Sequence, residues 1–206
     1  MPLFLFKYLI KAKGVIILKL VALVGSPRKG GNTDTLLQKV AEGFTSQGGE
    51  TQTFYLNDLN LRGCQACYAC KKTGQCVVKD DTAEIFKAIN AADAVVIGSP
   101  IYFGRFTAQL ALVMDRLFAY LKPDFSSSLA PGKKYGVVFA QNQPDPKLYA
   151  GCIDAVGQVL GRVGFAAGAK PLVGSGLGAA DAALQNEQYL QAAVALGKEL
   201  AAVNKE

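Results

Sequence analysis

The chain is 206 residues long, half of them hydrophobic, with 22 Gly, 22 Lys plus Arg against 16 Asp plus Glu, and no His. That length predicts one domain with a substantial core, and the missing imidazole excludes any mechanism that needs His as a base or ligand. The net charge of +6 is spread along the chain and not gathered into a basic block with interleaved aromatics, which argues against nucleic acid and suits an anionic cofactor or an acidic protein.

Residues 1–14 form an N-terminal extension ahead of the domain expected over 15–206. They read either as a basic, apolar segment that touches lipid or a partner, or as an extension upstream of a true start near Val15. Lys7, Lys11, Lys13 and Lys19 break every apolar run short of the roughly 20 residues a membrane helix needs, so no span is expected. Met1–Ile10 has no basic region before its apolar part and no small-residue cleavage site after it, so the expected location is a reducing cytoplasm.

Val15–Val24 is a continuous apolar run of the kind that forms a buried parallel strand. Thr33–Ser46 carries Leu36, Leu37, Val40 and Phe44 on one helical face and stops at Gln47-Gly48-Gly49. Glu50–Leu56 reads as a strand. Asn57–Cys76 is irregular and opens a cysteine-rich loop over 57–80. Asp81 or Thr82 can cap a helix to Ala91. Ala94–Gly98 is a second buried strand, ending at Ser99-Pro100 and a loop, Ile101-Tyr102-Phe103-Gly104. Thr107–Leu121 reads as a helix closed by Pro123, Lys134–Ala140 as the fourth strand, and Leu148–Arg162 as a helix weakened by Gly151 and Gly157. Phe165–Val173 is the last strand, Ser175–Ala180 a Gly-rich loop, and Ala182–Val203 the closing helix. Strands alternating with helices predict an α/β fold, a doubly wound five-stranded parallel sheet in the order 2-1-3-4-5 with helices on both faces.

Three stretches carry chemistry. The first is Gly25-Ser26-Pro27-Arg28-Lys29-Gly30-Gly31-Asn32-Thr33, a tight polar loop between a strand and a helix start. Glycines let backbone N–H groups converge, and the helix N-terminus adds partial positive charge. Ser26, Asn32 and Thr33 bring side-chain donors, and Arg28 a fixed fork for phosphate oxygens. The chain has neither G-x-x-x-x-G-K-[ST] nor G-x-G-x-x-G.

The second is Cys64-x-x-Cys67-x-x-Cys70-x5-Cys76. A triplet of thiols two residues apart cannot pair comfortably within itself but can wrap one compact object. Its spacing is that of cluster-binding ferredoxin loops, so all four cysteines would close on one [4Fe–4S] cluster, with Arg62, Lys71, Lys72 and Lys79 offsetting its negative charge. A structural zinc is the rival, although zinc sites made of four cysteines usually come as two separated pairs; four free thiols are the third reading. Cys152, apart from the rest, reads as a small core residue.

The third is Gly98-Ser99-Pro100-Ile101-Tyr102-Phe103-Gly104, which leaves the third strand at the carboxyl edge of the sheet. Open α/β sheets hold ligands in the crevice outside that edge. Pro100, Ile101, Tyr102, Phe103 and Gly104 are the candidates to meet a flat ligand. Asp115 and Arg116, in the helix that follows, are either a structural pair or an interface contact.

The Gly25–Thr33 loop resembles the phosphate loop of the flavodoxin-like NAD(P)H-dependent FMN reductases, whose pattern is G-S-P-R-x-x-x-N-T. The cysteine stretch Cys64 to Asp81 is similar to that of the iron–sulfur flavoproteins of the same family, and the resemblance continues through Ser-Pro-Ile-Tyr-Phe-Gly to Tyr120. It departs at Gln141-Asn142-Gln143-Pro144-Asp145-Pro146, where the family often has a Thr/Gly-rich turn. The resemblance implies an FMN-dependent oxidoreductase with the phosphate on Ser26, Arg28, Asn32 and Thr33 and the isoalloxazine ring against Pro100–Gly104. It also implies a [4Fe–4S] cluster on Cys64, Cys67, Cys70 and Cys76, and electron exchange with a small redox protein such as ferredoxin or with NAD(P)H. A homodimer or homotetramer is expected. The flavin carries the redox chemistry, so no side chain is expected to act as a catalytic acid or base. The alternatives are a cluster-free NAD(P)H:FMN or quinone reductase and a thiol-based redox or metal sensor.

Overall fold

The computed structural model describes residues 17–202. The N-terminal extension over 1–14, and Val15 and Val203 at the two expected element ends, lie outside the described residues. The sheet runs β2 (Glu50–Tyr55), β1 (Lys19–Val24), β3 (Ala94–Pro100), β4 (Lys134–Ala140), β5 (Ala166–Ala167), all parallel, with β6 (Leu172–Gly174) also on β4. This is the expected 2-1-3-4-5 order. The helices are α1 (Asn32–Thr45), α2 (Cys70–Thr73), α3 (Thr82–Ala91), α4 (Ala108–Arg116), α5 (Ala150–Arg162) and α6 (Glu187–Ala201). No helix among the described residues is long and apolar enough to cross a membrane.

The strict alternation of side chains along the central strands divides the core in two. Val21, Leu23, Val95, Ile97, Val137 and Phe139 face one way and pack with α3, α4 and α5 through Ile85, Ile89, Leu110, Val113, Ile153 and Val156. Leu20, Ala22, Val24, Val96 and Val138 face the other way and pack with α1 and α6 through Leu36, Val40, Phe44, Leu196 and Leu200. Each such buried Val, Leu, Ile or Phe contributes about 1.5–3 kcal/mol relative to exposure. Helices α1 and α6 touch backbone to backbone: a Cβ on Gly43 would overlap the Val194 carbonyl, and one on Gly197 the Val40 carbonyl.

Several boundaries differ from expectation, and four of these differences bear on the architecture. The last strand is split: Ala166 and Ala167 pair with Lys134 and Tyr135, Leu172 to Gly174 pair with Val138 to Ala140, and residues 168–171 bulge between them. Pro171 has no N–H to give to the ladder, and Gly168 lies where a Cβ would be 3.0 Å from the Tyr135 carbonyl. The closing helix is broken as well. Ala182–Gln185 is a separate 3-10 turn, because Asn186 accepts the Tyr189 N–H and starts α6 afresh. The helix from Thr107 ends as α4 at Arg116 and tightens into a 3-10 turn over Leu117–Tyr120. Finally, β1 begins at Lys19, although the Leu18 carbonyl already accepts the Glu50 N–H at 2.8 Å.

Candidate functional site

The carboxyl ends of β1, β3 and β4 open on one cleft. It is lined by Ser26, Arg28, Gly31, Asn32 and Thr33 on one side, by Pro100, Ile101 and Tyr102 on another, and by Ala140–Asn142 with Leu177, Gly178 and Ala180 behind. Two of the three chemistry-bearing stretches therefore meet, as the spacing of strand ends requires; the cysteines stand outside this cleft.

The Gly25–Gly31 loop leaves β1 under tight constraint. A Cβ on Gly25 would lie 2.9 Å from the Gly98 carbonyl and 3.1 Å from Thr107 Oγ1, so only Gly permits this approach of β1 to β3 and α4. Ser26 is buried, and its Oγ accepts the Arg28 N–H at 3.1 Å, folding the loop back on itself. Gly30 has φ +71, and its N–H is taken by Asp34 Oδ2 at 2.7 Å. The first backbone bond of α1 runs from the Thr35 N–H to the Gly31 carbonyl at 2.9 Å, so the N–H groups of Asn32, Thr33 and Asp34 precede it and point off the helix start. Thr33 is buried beneath them, and Arg28 is exposed at the rim.

Asn32 has a different part from the one expected. Its amide donates to the Leu177 and Ala179 carbonyls at 3.2 and 2.7 Å, and its Oδ1 accepts the Ala183 N–H at 2.8 Å. The side chain is spent on tying the 177–183 loop to the phosphate-type loop, which leaves its backbone N–H for a ligand. The donors that remain are backbone N–H groups, the Thr33 hydroxyl and the Arg28 fork. That set, at a helix N-terminus, fits a phosphate monoester.

Across the cleft, Ile101 N–H donates to the Ala140 carbonyl at 2.9 Å, and Tyr102 and Arg105 exchange two backbone bonds at 2.8 and 3.1 Å around a tight turn. The turn's central residues, Phe103 and Gly104, have φ +51 and +78, which is the type I′ pattern. Gly tolerates that; a Phe there is strained. Phe103 is fully exposed and Tyr102 partly so. Two residues outside the expected site join the halves of the cleft. Ser99 Oγ accepts the Thr107 N–H at 3.0 Å and donates to the Pro100 carbonyl at 2.8 Å, and Thr107 Oγ1 donates to the Gly25 carbonyl at 2.7 Å. The sequence signals for the pair are Ser99 within the third stretch and Thr107 as a hydroxyl at a helix start.

The cysteine loop is built apart from the cleft. Its two ends are pinned where Asn60 N–H meets Asp81 Oδ2 at 2.7 Å. Arg116 does not pair with Asp115: its guanidinium takes Asp80 at 2.9 and 3.3 Å and donates to the Arg62 and Val78 carbonyls, clamping both limbs of the loop. Burial works to raise the Asp80 carboxyl, but Arg116 and the N–H groups of Arg62 and Thr82 outweigh it and hold Asp80 below the ordinary carboxylate range. Lys71 lies over the Phe118 ring at 3.5 Å and donates to the Phe118 carbonyl at 2.6 Å. Ala66 and Tyr68 stand at φ +50 and +57.

The four cysteines expected to close on one cluster are not gathered. Cys64 and Cys67 are exposed, Cys70 opens α2, and Cys76 lies by the Arg116 guanidinium; all are free thiols. Among the described residues no three Cys, Asp or Glu side chains form a metal-binding group. Each thiol goes where its local backbone and neighbours put it, and as placed the set does not fit a single cluster. Cys152 is half-buried near the Phe106 N–H instead of in the core, and burial pushes its thiol pKa up.

Known proteins resemble this chain in sequence and in fold. A family model described as NADPH-dependent FMN reductase matches residues 18–142. An iron–sulfur flavoprotein of Methanocaldococcus jannaschii is 40% identical over 99 residues, covering 48% of this chain and 51% of that protein. An iron–sulfur flavoprotein of Methanosarcina thermophila is 31% identical over 125 residues, covering 61% and 65%. The chain thus spans between about half and two thirds of the length of these relatives. Among solved structures, the NAD(P)H:quinone oxidoreductase of Methanothermobacter marburgensis superposes with a TM-score of 0.74 at 18% identity, over 92% of this chain and 100% of that one, which shows the shared flavodoxin-like fold.

Proposed function

We infer the function from the premise that the chain belongs to the NADPH-dependent FMN reductase family: it is an FMN-dependent oxidoreductase that takes reducing equivalents from NAD(P)H and delivers them to a small acceptor such as a quinone or a free flavin. The observation that carries this reading is the single cleft in which a phosphate-type loop at a helix start faces a strained aromatic turn at the carboxyl edge of the sheet. FMN would supply the hydride and electron chemistry when bound. The chain's own residues bind and orient. The N–H groups of Ser26, Asn32 and Thr33, the Thr33 hydroxyl and Arg28 hold the phosphate, while Asn32 braces the loop behind. Pro100, Ile101, Tyr102, Phe103 and Gly104 present backbone and ring surface to the isoalloxazine. The expected setting is cytoplasmic.

A second reading places a [4Fe–4S] cluster on Cys64, Cys67, Cys70 and Cys76 and makes the protein an electron-transfer flavoprotein that exchanges with a small redox protein such as ferredoxin. It is favoured by the thiol spacing, by the names of the two relatives above, and by a loop, 61–79, that carries Arg62, Lys71, Lys72 and Lys79 and no acidic residue. The four thiols would have to move together to close on it. A homodimer or homotetramer would cover this exposed loop.

Purification under anaerobic conditions, followed by flavin identification and iron and sulfide assay, tests the function. One FMN per chain, bleached by NADPH, is expected; Arg28→Ala should weaken FMN more than riboflavin, which lacks the phosphate. Iron and sulfide in a ratio of one to one would select the second reading. A colourless protein that takes up no flavin would refute both.

A further inference from the structure

We propose that Thr107 is a positioning residue that sets the direction of the Ser26 N–H and so links the ring side of the cleft to its phosphate side; the inference rests on the FMN reading above. Thr107 is 2% exposed and lies 8 residues after Ser99 and 82 after Gly25 in sequence, yet it bonds to both. Its Oγ1–H donates to the Gly25 carbonyl at 2.7 Å. The Gly25–Ser26 peptide is planar and trans, so its C=O and N–H point in opposite directions. Helix α4, which Thr107 caps, packs on one face of the sheet, and α1 packs on the other. A carbonyl fixed toward Thr107 therefore sends the Ser26 N–H toward the face where α1 begins, and where the first-turn N–H groups of Asn32 and Thr33 lie. Donation to the carbonyl also polarises the peptide and strengthens that N–H as a donor.

The same residue reaches the other half of the cleft. The Thr107 N–H is held by Ser99 Oγ at 3.0 Å, and Ser99 Oγ–H bonds the Pro100 carbonyl at 2.8 Å, at the start of the ring loop. Thr107 Oγ1 also accepts the Leu110 N–H at 3.4 Å as the cap of α4. A hydroxyl both donates and accepts, which this position requires; a valine fills the same space and does neither. A residue that merely capped α4 would affect stability and leave the balance between phosphorylated and unphosphorylated flavin alone.

The test titrates apoprotein of the full chain with FMN and with riboflavin, read by quenching of flavin fluorescence. Thr107→Val should weaken FMN about tenfold or more while riboflavin loses less than about threefold, and Thr107→Ser should restore FMN to within about twofold of wild type. Thr107→Ala, which also removes the donor to the Gly25 carbonyl but adds no bulk there, should show the same selective loss and keeps the comparison available if Thr107→Val does not fold. Equal losses for both ligands in the folded Thr107 variant, or no loss of FMN in it, would overturn the assignment while the wild-type preference for FMN still stands. A wild type that binds riboflavin as tightly as FMN would instead sink the FMN reading, and this inference with it.

Discussion

Replacing Asp80 with Asn asks whether one buried ion pair holds the cysteine loop shut. The Arg116 and Asp80 side chains are 2% and 0% exposed, and the guanidinium also carries the Arg62 and Val78 carbonyls, so it cannot turn to water when its partner is neutralised. Removing one member of a buried pair costs about 3–5 kcal/mol, because the other charge is left uncompensated. Asn keeps an acceptor for the Arg62 N–H, which places the expected loss near the lower end, about 3 kcal/mol, a large share of the ~5–15 kcal/mol that stabilises a typical domain. Denaturant unfolding should show the loss, and limited proteolysis should open the chain within 61–79 first. The pH dependence follows from the lowered Asp80 pKa. The pair's contribution is complete above the ordinary, unfolded carboxylate pKa and is lost as pH falls through the lower folded one, so the gap between wild type and Asp80→Asn should close only in that acid window. A loss below about 1 kcal/mol for Asp80→Asn would refute the clamp.

Gly25→Ala should cost roughly 1–3 kcal/mol in unfolding experiments and lower FMN uptake, because its Cβ would meet the Gly98 carbonyl at 2.9 Å and Thr107 Oγ1 at 3.1 Å; an unchanged unfolding curve would contradict the close approach. Phe103→Asn should raise stability by about 0.5–1 kcal/mol, since an exposed Phe at φ +51 packs on nothing in the described chain and Asn tolerates that conformation better; a destabilised variant would show that the ring does more for the fold than its exposure indicates. Alkylation mapped by mass spectrometry at mildly alkaline pH should modify Cys64 and Cys67 first and Cys152 last, because Cys152 is half-buried and its raised pKa leaves less thiolate; early labelling of Cys152 would contradict that placement.

Local features and the strand order were legible in the sequence, and long-range side-chain contacts were not. The run into Val24, the polar loop and the Leu36–Leu37–Val40–Phe44 stripe foretold the first strand, loop and helix, because strand and helix periods are written in neighbouring residues. The 2-1-3-4-5 order followed from strands alternating with helices. The role of Asn32 was hidden because its partners lie about 150 residues away, in a Gly-rich loop with no periodic signal. The Arg116–Asp80 pair spans 36 residues, and charge alone does not tell which carboxylate Arg116 will meet. The split of the last strand left a trace in Gly168 and Pro171 and the break before the final helix left one in Asn186, so both could have been found from turn and cap chemistry. The cysteine spacing names a ligand set but not its geometry, which depends on what the thiols close around.

The measurement that bears most directly on the central claim is the amide proton–nitrogen NMR correlation spectrum of the apoprotein titrated with FMN and, separately, with riboflavin. FMN should shift the amides of Ser26, Gly31, Asn32 and Thr33 together with those of Ile101 to Gly104, and riboflavin should shift the second group far more than the first. Shifts centred elsewhere, such as on the groove lined by Tyr135, Gly157 and Gly168, or a phosphate loop that responds equally to both ligands, would contradict it.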